Sequence, residues 1–100
     1  MFQAAPNEDV GVSEHLDNLV GRDVVLDTAG AIVYLGRLTA YDDRGFLLEN
    51  ADFHNSSEGH ATREQYITES RRDGIRVNRN RVFVLQHAVM SVSALADVTD

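Results

Sequence analysis

The segment 16–48 constrains the fold most, because it breaks apolar runs with single glycines at short intervals. Leu16, Leu19 and Val20 have the i, i+3, i+4 spacing of one helix face, and Gly21 follows as a stop. Ser13 is a suitable N-cap for this helix. Because so short a helix is not stable alone, we expect it to pack on a sheet.

Five strands are predicted after the helix. The first spans 22–28, and Ala29-Gly30 forms a hairpin turn into the second strand at 31–42. The second strand is apolar on both faces, which predicts a barrel interior on one side and a helix or partner on the other. Gly36 permits a bend within it. The remaining strands are predicted at 45–53, 75–85 and 89–95.

The pattern therefore predicts a mainly β fold, in which a short N-terminal α-helix precedes a five-stranded, strongly bent antiparallel sheet, an SH3-like barrel. We expect residues 1–12 to be a flexible tail, 13–95 the domain and 96–100 a C-terminal tail. The mostly polar insertion 54–74 is expected to be a long loop, in which 65–68 extends a hairpin.

Composition narrows the function classes. The chain has no cysteine, no apolar run of membrane-spanning length and no secretory signal, so we expect a cytoplasmic protein without disulfides or thiolate sites. Its net charge of −7 opposes binding of a polyanion at long range. Every cation is arginine, which reflects either codon bias in a GC-rich genome or a use of guanidinium in phosphate contacts and base stacking. Five arginines gather within 71–81.

No pattern of catalytic residues is present, so we expect that the protein is not an enzyme. Asp42 and Asp43 are adjacent in a turn and point different ways, unlike an acid/base pair. The serines have no nucleophile motif, and the glycines form no phosphate-binding loop. We also expect no cofactor and no metal, because the four histidines lack metal-ligand spacing: they are His15, His54, His60 and His87.

The fourth predicted strand carries an apolar edge, which in a monomer favours aggregation. Pairing with the fifth strand of a neighbouring copy removes that hazard, and repetition of this contact closes a ring if the rotation allows. The predicted interface residues are Val82, Phe83, Val84, Leu85, Val89 and Val92.

Over 13–53 and 77–95 the chain resembles the Sm-like family, small bent β-sheets that assemble into rings and bind single-stranded RNA. The residues at nearly the family spacing are Leu19, Gly21, Val24, Leu26, Gly30, Gly36, Leu38, Tyr41 and Asp42. The short form A-Y-D-D-R-G-F-L-L at 40–48 resembles the Hfq branch, and so does V-L-Q-H-A-V-M-S-V at 84–92. The second signature is divergent, and the resemblance implies a bacterial or phage-like member.

In the Hfq branch a Lys-His-Ala turn lines the pore and contacts uridine-rich RNA. Here Gln86 replaces the lysine and His87 is retained, while Arg44 stands where that branch has a base-stacking aromatic. The resemblance therefore implies an RNA site formed by Asp42, Arg44, Gln86 and His87. Alternatives remain for three of these residues: Asp42 capping backbone N–H groups, His87 as a polar turn residue and Arg44 solvated. The ring itself is either an RNA binder or a protein-interaction scaffold that has lost RNA binding.

Overall fold

The computed structural model describes residues 14–59 and 61–99. The described part begins in a helix, α1, at 14–19. The predicted tail 1–12 and the predicted N-cap Ser13 lie outside the described residues. The elements that follow are β1 (Asp23–Thr28), β2 (Ile32–Asp42), β3 (Gly45–Asn55), α2 (Arg63–Asp73), β4 (Arg79–Leu85) and β5 (Val89–Ala94), with 3-10 turns at Gln86–Ala88 and Leu95–Asp97.

The five strands form one sheet in the order β4-β3-β2-β1-β5, with every neighbouring pair antiparallel. This confirms the predicted mainly β fold with its bent five-stranded sheet. The ladder between β2 and β3 shifts register between Leu35 and Arg37, at the predicted bend. A Cβ on Gly36 would lie 3.0 Å from the Ala51 Cβ, so the absence of a side chain lets the two strands approach closely.

The concave face of the sheet encloses the main core. Val24, Leu26, Leu38 and Leu48 are fully buried there, at 0 % exposure. Leu19 of α1 joins the same cluster at 3 % exposure, so the short helix packs on the sheet as predicted. Burial of these side chains removes apolar surface from water, the dominant favourable term in folding.

The prediction of a long loop at 54–74 is wrong. Most of this segment is a helix, α2, at Arg63–Asp73. Thr62 begins the helix with a capping box: its hydroxyl accepts from the Gln65 N–H (3.1 Å), and the Gln65 side chain accepts from the Thr62 N–H (2.9 Å). Gly74, at φ 100°, ends it. The polar residues of this segment are therefore the outer face of a helix rather than a solvated loop.

The helix α2 covers the convex face of β1 and β2. Ile67 is buried at 4 % exposure against Val25, Val33 and Leu35, and Leu95 completes this second cluster. This confirms that β2 has the barrel interior on one side and a helix on the other. Val98, within the predicted C-terminal tail 96–100, also packs against this cluster.

The fourth strand is shorter than predicted. Residues 74–78 have no regular secondary structure, and β4 begins at Arg79 rather than at Ile75. The Asn78 side chain takes the place of ladder contacts: it accepts from the Phe53 N–H (2.9 Å) and donates to the Phe53 carbonyl (3.1 Å). Among the described residues, no helix is both long and apolar enough to cross a membrane.

Candidate nucleic-acid interface

Two loops meet at one end of the sheet. One is the turn between β2 and β3, and the other is the 3-10 turn between β4 and β5. The Gln86 N–H donates to the Arg44 carbonyl (2.8 Å), which ties the loops together. The four residues predicted for RNA binding, Asp42, Arg44, Gln86 and His87, therefore lie on two joined loops.

Asp42 fixes the first loop. Its Oδ1 accepts from the N–H groups of Arg44 (2.7 Å) and Gly45 (3.2 Å). The hydrogen bond from the Arg44 N–H holds the pKa of Asp42 below its ordinary value, and the Gly45 N–H adds to this. The alternative interpretation of Asp42 as a turn cap is thus confirmed, and its charge also attracts the Arg44 guanidinium at 3.4 Å.

The other three side chains are exposed. The Arg44 side chain is 81 % exposed, and Gln86 and His87 also lie on the surface. A guanidinium plane can stack on a base or pair with phosphate, while an amide and an imidazole can hydrogen-bond base edges. The described residues contain no cluster of His, Cys, Asp and Glu side chains that could hold a metal ion.

Close backbone packing positions this end of the sheet. A Cβ on Gly45 would lie 2.2 Å from the Val84 carbonyl oxygen, so only glycine allows β3 and β4 to pack as they do. The Tyr41 hydroxyl, beside the first loop, donates to Asp17 Oδ1 of α1 (2.5 Å). That hydrogen bond raises the pKa of Tyr41. Sequence reasoning missed this contact, which joins residues 24 positions apart.

The outermost strands of the sheet are β4 and β5, the two that carry the predicted interface. Val84 itself is 3 % exposed in the concave core, and Val82, Val89 and Val92 are half-buried against that core. Phe83 and Leu85 are 45 % and 49 % exposed. Met90, which was not predicted for the interface, is 72 % exposed on β5.

Backbone groups on β4 alternate in direction. In antiparallel pairs, hydrogen-bonded and non-hydrogen-bonded positions alternate. Since Gln86 donates to Arg44 and Val84 stands opposite Phe46, the Val84 N–H points towards β3. The N–H groups of Phe83 and Leu85 therefore point towards the outer edge of β4.

A buried polar cluster lies beneath α2, far from the two loops. The Tyr66 hydroxyl donates to the carboxylate of Asp52, which is 5 % exposed. The His54 ring stacks on Tyr66 at 3.6 Å, and its Nε2 is buried with no hydrogen-bond partner among the described residues. The three residues line a cavity of about 370 Å³. Burial, and then the Asp52 hydrogen bond, raise the pKa of Tyr66.

Comparison with solved structures identifies the fold. The chain is similar to an Sm protein of Pyrococcus abyssii solved in complex with a uridine heptamer (TM-score 0.58, 15 % identity, 82 % of this chain and 94 % of that one). It is also similar to an Sm-like archaeal protein of Pyrobaculum aerophilum (TM-score 0.53, 24 % identity, 81 % of this chain and 48 % of that one). No protein-family model matches the sequence, and no curated protein does. The chain therefore has the Sm fold.

Proposed function

We propose that this protein forms a homo-oligomeric ring that binds short single-stranded RNA at its joined loops. The observation that carries the proposal is the hydrogen bond between Gln86 and Arg44, which brings the exposed Arg44 and His87 side chains to one end of the sheet. The similar Sm protein of Pyrococcus abyssii was solved with a uridine heptamer, which supports uridine-rich RNA as the ligand.

The chemistry of the loops suits a single strand. Arg44 stacks on an unpaired base or pairs with phosphate, and His87 and Gln86 hydrogen-bond base edges or the backbone. Asp42 acts as a positioning residue, because its carboxylate is engaged by the N–H groups of its own turn.

Assembly makes such a small site useful. The outward N–H groups and exposed side chains of Phe83 and Leu85 on β4 offer a pairing edge, and β5 of a second copy offers the other. A ring brings one loop pair per subunit to a common strand of RNA, so weak sites act at high effective concentration.

The second candidate is a ring that serves as a protein-interaction scaffold and binds no RNA. The net charge of −7 and the replacement of the family's pore lysine by Gln86 favour it. The two functions differ in salt dependence, because RNA affinity falls steeply as salt rises.

The RNA site is tested with the Arg44→Ala, His87→Ala double variant and a uridine heptamer. Loss of a stacking contact should weaken binding at least about tenfold. Arg22→Ala, which removes an exposed arginine just before β1 and outside the two loops, is the control for the arginine charge. Equal losses from both would show diffuse electrostatics, and no binding by wild type at low salt would favour the scaffold.

The ring is tested with Phe83→Pro. Proline removes an N–H that faces the outer edge of β4, which an edge strand tolerates within its own sheet. The expected result is a folded protein of lower oligomer mass by light scattering, while Phe83→Ala, which keeps the N–H, assembles more fully. Val84→Pro removes a donor to β3 and should unfold the chain instead. An unchanged mass for Phe83→Pro would refute pairing through this edge.

A further inference from the structure

Positive charge is concentrated in one segment of this acidic protein. Residues 71–81 contain five of the nine arginines and a single acidic residue, Asp73, whereas the whole chain has a net charge of −7. In the structure this segment comprises the end of α2, the irregular residues 74–78 and the start of β4. Arg76, Arg79 and Arg81 within it are exposed, and we refer to these three as the arginine strip.

Arg79 is held in a fixed position. Its guanidinium carbon lies 5.3 Å from the centroid of the Phe53 ring, and Nη1 donates to the Asn78 carbonyl (3.0 Å). Asn78 is itself fixed by its two hydrogen bonds to the Phe53 backbone. Tyr34 packs against the Phe53 ring at 5.4 Å between centroids. An arginine stacked in this way presents its outer face as a further planar surface.

The arginine strip is incompletely neutralised. Within the described part of the chain, neither Arg76 nor Arg79 has a carboxylate within salt-bridge distance. Arg81 is 69 % exposed and lies 3.3 Å from Glu49, which is also bound by Arg37 at 2.9 Å. Exposed pairs of this kind are weak and leave the guanidinium available to a second anion.

Carboxylates near the strip have other partners. Asp52, in the cavity below, accepts from the Tyr66 hydroxyl, and Asp73 lies 3.2 Å from Arg72. Glu69 is a third acidic residue on the wall of that cavity. Positive charge therefore dominates this end of the sheet, although the protein as a whole is acidic.

We propose that the arginine strip is a second surface for single-stranded RNA, separate from the joined loops. Arg79 stacks on one base, and Arg76 and Arg81 contact phosphates. The strip lies at the opposite end of β4 from Gln86, and the six steps from Arg79 to Leu85 span about 20 Å at the rise of a strand. It therefore engages an RNA that extends beyond the loops. The inference rests on the proposed RNA ligand.

The test compares a uridine heptamer with a uridine oligonucleotide of about 20 nucleotides, longer than a single small site. Wild type should bind the longer RNA at least about tenfold more tightly, since added phosphate and stacking contacts accumulate. In the Arg76→Gln, Arg81→Gln variant this advantage should disappear, and the slope of log affinity against log salt should fall by about 1.4, or 0.7 per phosphate contact. Heptamer binding should stay unchanged.

Two further variants make the comparison specific. Arg22→Gln, Arg37→Gln removes the same charge from outside the strip, and includes the other partner of Glu49; it should leave the preference for longer RNA intact. Arg79→Lys keeps the charge but loses the planar group, so it should weaken binding of the longer RNA about fivefold or more with an unchanged salt slope. Arg76→Gln alone, outside β4, repeats the test if the double variant differs from wild type in oligomer mass.

The proposal that the arginine strip binds RNA would be refuted if wild type bound both RNAs equally. It would also be refuted if the control double variant lost as much affinity as the strip variant. Loss of heptamer binding in the Arg44→Ala, His87→Ala variant, with strip-dependent binding of the longer RNA retained, would support two separate surfaces. If wild type bound only the longer RNA and did so through the strip, the loop site would fail and the strip would stand. If it bound neither RNA, both proposals would fail.

Discussion

The contact between Tyr66 and Asp52 should contribute strongly to the stability of the fold. Asp52 is 5 % exposed, and the Tyr66 hydroxyl is the one hydrogen-bond donor to its carboxylate among the described residues. Tyr66→Phe removes that hydroxyl and keeps the ring that stacks on His54 at 3.6 Å. The substitution therefore separates the hydrogen bond from the packing of α2.

The expected loss of stability follows from the buried Asp52 carboxylate, which Tyr66→Phe leaves without a hydrogen-bond donor in the described part of the chain. A hydrogen bond to a charged group contributes about 1.5–3 kcal/mol, and a buried carboxylate without a donor retains its desolvation penalty. Tyr66→Phe should therefore lower the free energy of unfolding by about 1.5–3 kcal/mol at neutral pH. Replacing the carboxylate as well, in the Asp52→Asn, Tyr66→Phe double variant, should recover part of the loss, because no buried charge is then left unpaired.

Urea denaturation followed by circular dichroism, at one fixed protein concentration, measures this loss. The matched control is Tyr34→Phe, since the Tyr34 hydroxyl has no hydrogen-bond partner among the described residues and the ring is also half-buried. The control should change the free energy of unfolding by less than about 0.5 kcal/mol. A Tyr66→Phe protein as stable as the Tyr34→Phe protein would refute the argument.

Three further predictions concern the stability of the fold at Tyr66, Thr62 and Gly45. Because the pKa of Tyr66 is raised above its ordinary 10.0 in the folded state, its stabilising contribution is complete below pH 10 and is lost above it. The free energy of unfolding should fall by up to about 1.4 kcal/mol per pH unit there, and a denaturation series should show a flatter decline for Tyr66→Phe. Thr62→Ala, which breaks the capping box, should cost about 1 kcal/mol in urea denaturation; no change would mean that α2 does not depend on its cap. Gly45→Ala places a Cβ against the Val84 carbonyl and should lower the melting temperature, and an unchanged value would show that β4 can move aside.

The sheet could be predicted from the sequence because its signals are local. Alternating apolar residues mark β1, and Ala29-Gly30 marks the turn that follows it. Gly36 marks the register shift in β2. The way the strands come together is less local: the pairing of β5 with β1 joins residues about 70 positions apart, such as Val24 and Ala94. That pairing was not predicted, because a local hydrophobic pattern does not specify which distant strands lie side by side.

The helix α2 escaped prediction because it buries few large apolar side chains. Tyr66 and Ile67 are the two in its eleven residues, too few to form an apolar stripe. A signal was nevertheless present: Thr62 and Gln65 have the spacing of a capping box, and Gly74 is a typical stop. The apolar outer face of β2 also required a cover. These observations together indicate a helix, whereas polarity alone favoured a loop.

The loop site was predictable as a set of residues but not as a geometry. The resemblance pointed to Asp42, Arg44, Gln86 and His87, yet the hydrogen bond between Gln86 and Arg44 depends on the register of β3 with β4. The same register decides that the Val84 N–H points towards β3 while the Phe83 N–H points towards the outer edge of β4. A sequence reports that both are apolar, and only the ladder distinguishes their directions.

Arg63, at the start of α2, couples the inserted helix to a distant turn. Its guanidinium lies 3.1 Å from Asp27 and donates to the carbonyls of Gly30 (2.6 Å) and Ile32 (3.3 Å). The β1–β2 turn and the helix are therefore joined through the hydrogen bonds of one side chain. In the native ensemble, opening of the helix also releases this turn, so the two behave as one cooperative unit of local unfolding. Amide hydrogen exchange would show their protection rising and falling together, while the loops at the other end of the sheet exchange independently.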